Sequence, residues 1–141
     1  MFDKTYVDRV AAWQAFRDEL ESHNDPLQHA ISKYASVPLV SIHTDPYTRS
    51  SWPNPWELLE ENTYCDYCII LGICYTLQLT ERFKASNFEI HIAIDNDRSK
   101  DYYLLFVDDM VIGYDEYSYV HSSKLPNTLH SQHIYQMPTL N

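Results

Sequence analysis

A chain of 141 residues with 20 acidic against 10 basic side chains carries a formal net charge of −10. That balance argues against nucleic-acid binding by phosphate neutralisation and favours solubility or docking onto a basic partner. Hydrophobic residues at 45% and only two glycines describe a single globular domain able to bury a core unaided, without glycine-rich loops for phosphates.

Tyr6, Val10, Trp13, Phe16 and Leu20 recur at spacings of four and three, which predicts an amphipathic helix. Asp25 then stands as an N-cap, Pro26 suits the first helical position, and Gln28 completes a box-like pattern. Leu27, Ala30, Ile31 and Tyr34 form the buried stripe of that second helix. Val37 to Ile42 reads as a short extended piece, and Pro38 places it on an edge or in a loop. In DPYTRSSWPNPWELLEENTYC, the prolines Pro46, Pro53 and Pro55 keep the chain extended. Asn54 caps a short helix with Pro55 first and Glu57 third. Trp52 and Trp56 read as an aromatic clamp on the way into a central helix.

The stretch from about Tyr64 to Phe83 predicts that central helix, with Thr63 as N-cap and Asp66 at the third position. It is apolar on nearly every side and ~30 Å long, the buried spine of the domain. After it the period changes to two. Phe88, Ile90, Ile92 and Ile94 alternate with Glu89, His91, Ala93 and Asp95. A polar loop leads to Tyr102–Val107, and Asp108-Asp109 turn tightly into Met110–Asp115, giving a three-stranded antiparallel meander. A two-residue hairpin pairs Val107 with Met110, Leu105 with Ile112 and Tyr103 with Tyr114. Pairing Asp95 with Tyr102 sets Ile94, Ile92 and Ile90 opposite Tyr103, Leu105 and Val107. The isoleucine face then receives the central helix, while Leu104, Phe106 and Val111 lie exposed beside His91 on the other. The expected fold is α+β: N-terminal helices and a long central helix on one face of a three-stranded sheet. Residues 1–120 form the domain, and 121–141 an irregular tail docking on it or on a neighbour.

TYCDYCIILGICYTL, from Thr63 to Leu77, raises the question of chemistry through Cys65, Cys68 and Cys74. Three cysteines, with no segment resembling a signal peptide and no apolar run of membrane-spanning length, read as reduced thiols in a cytosol-like compartment. A zinc site would need a second pair, and His121, His130 and His133 lack ligand spacing. As a redox motif the pair lacks a strand–turn–helix context. Asp95, Asp97, Asp101, Asp108, Asp109, Asp115 and Glu116 do not supply calcium-loop spacing and suit turns. No metal, cofactor, nucleic acid or membrane is expected.

A cysteine at a helix start, followed by antiparallel strands carrying His91 and then Asp108 or Asp115, resembles transglutaminase-like cysteine enzymes over about fifty residues. The resemblance implies Cys65 (or Cys68) as nucleophile, His91 as base and the aspartate as the acid orienting it. The glycine-rich surround usual before the nucleophile is replaced by Glu61-Asn62-Thr63-Tyr64. The register also turns His91 away from the isoleucine face.

DPYTRSSWPNPWELLEENTYC with ILGICYTLQLTERF resembles uncharacterised proteins of contractile-tailed bacteriophages, notably marine ones related to the enterobacterial type. That resemblance covers most of the chain. It implies a virion part near the neck, tail or baseplate, in the virion or host cytoplasm, repeated in a symmetric assembly. The expected function is therefore a non-enzymatic structural protein acting through protein contacts. Its contact residues are Trp52, Trp56, Leu104, Phe106, Val111, Leu129, Ile134, Tyr135 and Met137. The alternative is a cysteine hydrolase or transferase using Cys65, His91 and Asp108.

Overall fold

Trp13, Phe16 and Leu20 turn one face of the first helix, α1 (Tyr6–Ser22), into the core, as their spacing predicts, while Val10 is half-buried and Tyr6, at the helix start, is exposed. A computed structural model describes residues 1–41 and 43–140. The second helix, α2 (Pro26–Tyr34), begins where Asp25 accepts the Gln28 N–H. In α3 (Pro55–Glu61), Asn54 and Glu57 form a complete reciprocal capping box. The expected extended piece survives as a parallel bridge between Leu39 and Tyr64; its last residue, Ile42, lies outside the described residues.

The central helix is shorter than its apolar run. Helix α4 spans Asp66–Gln78, 13 residues or about 20 Å, and Cys65, not Thr63, is its N-cap. Interactions at its two ends account for this. At the start, Asn62 adopts the left-handed conformation (φ 51°) that ends α3. Tyr64 is meanwhile held extended by bonds to Pro38 and Val40, both 3.0 Å. At the end, the Glu21 carboxylate accepts the N–H groups of Glu81 and Arg82 at 2.8 and 3.0 Å. The Arg82 guanidinium in turn donates to the Leu20 and His23 carbonyls, satisfying acceptors that a helix end leaves open. Arg9 does the same for α3 through the carbonyls of Leu59 and Glu60.

The sheet has five antiparallel strands, not three. They are β1 (Phe88–Asp95), β2 (Lys100–Val107), β3 (Met110–Ile112), β4 (Tyr119–His121) and β5 (Leu129–Gln136), in the order β4-β3-β2-β1-β5. The expected irregular tail thus supplies an edge strand along β1. Its sequence, LHSQHIYQ, shows no period because most of its side chains are exposed and its register slips opposite Ile92 and Ala93. The β2–β3 register is as expected for Leu105–Ile112 and Val107–Met110. Tyr114 does not pair with Tyr103, because Gly113 (φ 106°) swings the chain away beside the Tyr103 carbonyl. Between β1 and β2 the turn is tighter than expected: Asp95 meets Lys100 and Ile92 meets Tyr103. This even-numbered shift leaves every side chain on its predicted face.

Both faces of the sheet are covered. Phe88, Ile90, Leu105, Val107 and Ile112 join α4 and the other helices in the main core. On the opposite face Ala93, Tyr102, Leu104 and Val111 form a second core, packed against by Tyr114, Val120, Leu125 and Leu129. Leu104 and Val111, expected in an exposed patch, are 1% and 0% exposed. The segment following β4, expected as an irregular tail docking on the domain or a neighbour, closes over them through Leu125 and Leu129.

A candidate docking cleft at the end of the sheet

Both glycines of the chain serve one region. In α4, Gly72 lets the Tyr34 ring of α2 lie directly on the helix backbone. At the end of β3, Gly113 takes a positive φ, where a Cβ would come 2.3 Å from the Tyr103 carbonyl oxygen. The chain can therefore leave the sheet and run out through Tyr114–Tyr117. Gln28 on α2 ties that loop down by donating to the Tyr117 carbonyl at 2.8 Å. Between these walls opens a cleft of about 640 Å³, within the range of binding pockets.

Ile69, Ile70 and Ile73 of α4 line it, joined by Ile31, Val37 and Leu39 from the α2 side and Ile112 from β3. Tyr103, Tyr114 and Tyr117 supply aromatic surface, and Asp66, Asp101, Asp115 and Glu116 the charge, opposed among the described residues by Lys100 alone. Leu39 is 68% exposed and Tyr117 76% exposed. Leu39 is nonetheless anchored, since the chain on either side of it is bonded to Tyr64. The Lys100 ammonium lies 4.9 Å from the centre of the Tyr102 ring, a cation–π arrangement. The Tyr103 phenol is raised above its ordinary range, by burial first and then by surrounding groups that include Asp101 and Asp66. An anionic field over apolar and aromatic surface is the chemistry of the cleft.

The residues expected to act together as a cysteine enzyme are not brought together. Cys65 packs in the main core, where its sulfur accepts the Thr44 N–H at 3.4 Å. Burial works to raise this thiol, but N–H groups of Thr44, Cys68 and Tyr67 and the Cys68 thiol bring it below its usual value. His91 lies on the sheet's other face. Its ring stacks on Phe106 at 4.0 Å, and its nitrogens meet Ser131 at 2.7 Å and Glu89 at 3.1 Å. Asp108 is a turn residue (φ 52°) whose carboxylate accepts the Asn87 N–H. Asp115 lines the cleft and accepts the Tyr117 N–H. Burial pushes the Cys68 and Cys74 thiols up. Among the described residues no group of three or more His, Cys, Asp or Glu side chains is placed to hold a metal ion.

The expected contact residues divide. Leu104, Val111 and Met137 are buried and offer no surface. Trp52 is spent internally, with its ring against Tyr67 and Tyr135 and its N–H on the Asp45 carbonyl. Phe106, Leu129 and Tyr135 are half-buried, while Trp56, edge-on to Trp13, and Ile134 remain exposed. The cleft went unseen in the sequence because its residues come from four separate stretches. The cluster Tyr114-Asp115-Glu116-Tyr117 behind a glycine was the one local signal of it. Among the described residues no helix is long and apolar enough to cross a membrane. Comparison with known protein families, curated proteins and solved structures gives no match.

Proposed function

We propose that this chain is a non-enzymatic protein-interaction module and that the cleft is where it takes hold of a protein partner. The observation that carries the reading is the pairing of an exposed Leu39, anchored through its chain neighbours to Tyr64, with an apolar cleft wall in which Ile69 is half-buried. Apolar surface held ready in this way lowers the ordering cost of binding. The exposed Trp56 and Ile134 are subsidiary contact points. The assembly we propose is a contractile-tailed phage virion, in its neck, tail or baseplate region. This rests on the resemblance of the Pro/Trp segment and α4 to proteins of such phages. Within a symmetric assembly each copy would present the same cleft to an equivalent copy of the partner protein.

Two measurements test the reading. Cross-linking of purified particles, followed by peptide mapping, is expected to recover this chain with cross-links from Lys100, at the cleft, to a second protein. A chain absent from the particles overturns the virion assignment. Cross-links confined to surfaces away from the cleft overturn the assignment of the cleft.

A further inference from the structure

We infer that the occupant of the cleft is a basic, apolar peptide segment of another protein. One of its apolar side chains seats against the exposed Leu39 and the half-buried Ile69 of α4, and a neighbouring arginine or lysine is held by the acidic fringe. This inference rests on reading the cleft as a docking surface.

Charge complementarity selects this occupant. Asp66, Asp101, Asp115 and Glu116 border the cleft against Lys100, and all four are exposed, so they are free to pair with an incoming cation. The tyrosines add a second attraction for the same group. At the cleft's edge Lys100 lies 4.9 Å from the centre of the Tyr102 ring, and the exposed Tyr117 and half-buried Tyr103 and Tyr114 keep aromatic surface for an incoming cation. Arginine suits the site better than lysine, since a guanidinium stacks on a phenol ring and forks onto a carboxylate at once. A second copy of the chain is disfavoured, because two molecules of charge −10 repel one another and bring more acid to an acidic rim. A cleft of about 640 Å³ takes a few side chains, not a folded domain.

The test is selection from a random dodecapeptide display library on the full-length protein. Counter-selection uses the variant D101N/D115N/E116Q, in which the amide introduced by D115N keeps an acceptor for the Tyr117 N–H. Enriched sequences are expected to place Arg or Lys beside Leu, Ile, Met or Phe. The leading synthetic peptide should bind the counter-selection variant about tenfold more weakly or worse, and should weaken with added salt. Leu39→Asp, at an exposed position, should abolish its binding while leaving the circular dichroism unchanged. Peptides that need Leu39 but carry no basic residue, or bind both proteins equally, overturn this inference and leave the docking reading standing. No peptide dependent on Leu39 overturns both. Concentration-dependent self-association lost on Leu39→Asp makes the occupant a second copy and overturns this inference.

Discussion

The ring of Tyr34 closes over Gly72 so tightly that a Cβ on that glycine would lie 2.4 Å from the ring's Cε1. Helix α2 reaches the backbone of α4 there, and the cleft's α2 wall depends on that approach. Alanine is the better helix former by about 1 kcal/mol. Overpacking against an aromatic ring outweighs this, so Gly72→Ala is expected to lower stability by about 1–3 kcal/mol. Urea titration measures the loss. Adding Tyr34→Leu should make the two losses less than additive, because the clash is shared.

Thr76 gathers three helices at one hydroxyl. It donates to the Gly72 carbonyl at 2.7 Å and accepts from the Trp13 indole N–H and the Tyr34 hydroxyl, each at 2.9 Å. Thr76→Val keeps the shape and strands both buried donors. At about 1–3 kcal/mol for each unsatisfied group, it should cost more than Gly72→Ala. Thr76→Ser, which keeps the hydroxyl, should lose about half as much or less. Equal stability of the Thr76→Val and Thr76→Ser variants in urea would show that the network contributes nothing.

Alkaline pH should unfold the protein early. Burial raises the Tyr34 phenol from 10.0 to about 12 and pushes the Cys68 and Cys74 thiols up from 9.0. Each group is raised in the folded state, so its contribution is complete below its unfolded value. The contribution is lost as pH climbs through the interval between unfolded and folded values, where the unfolded chain releases the proton first. The urea midpoint should hold steady up to about pH 8.5 and fall beyond it, the thiols acting before the phenol. Cys74→Ala should flatten the first part of that fall. A midpoint unchanged up to about pH 11 would contradict the burial of these groups.

What could be read from the chain was whatever depended on neighbours in sequence. The caps at Asp25 and Asn54, the stripe Trp13-Phe16-Leu20 and the faces of β1 and β2 follow from spacing alone, and the structure keeps them. What escaped depended on distant partners. The length of α4 is set by Glu21, some sixty residues away. The burial of Leu104 and Val111 is set by the chain beyond β4. Strand β5 has no alternation to detect, because it is recruited by the open edge of β1. The cleft is assembled from such long-range pieces, and no window of the sequence contains it.

Recruitment of β5 has a direct consequence. A chain ending after Lys124 loses the strand that covers the β1 edge and removes Met137 from the main core. It should lose cooperative thermal unfolding and bind a hydrophobic dye. A truncated protein with an unchanged melting curve would instead make the segment a dispensable appendage.

Cys65 separates the interaction reading from the cysteine-enzyme reading. Its thiol lies below its usual value, held there against burial by N–H groups and by the Cys68 thiol, while Cys68 and Cys74 are pushed the other way. Cys65 is only 2% exposed, so iodoacetamide on the folded protein should label it slowly, yet ahead of the fully buried Cys74, by peptide mapping. Cys68→Ala removes one lowering partner and should move the pH midpoint of Cys65 labelling upward. His91→Ala should leave that midpoint where it is. The imidazole is stacked on Phe106 and bonded to Ser131 and Glu89 on the sheet face away from the helix, and a general base must stand within hydrogen-bond reach of its nucleophile. A midpoint that moves when His91 is replaced would mean that thiol and imidazole titrate together, and the hydrolase reading would displace the docking one.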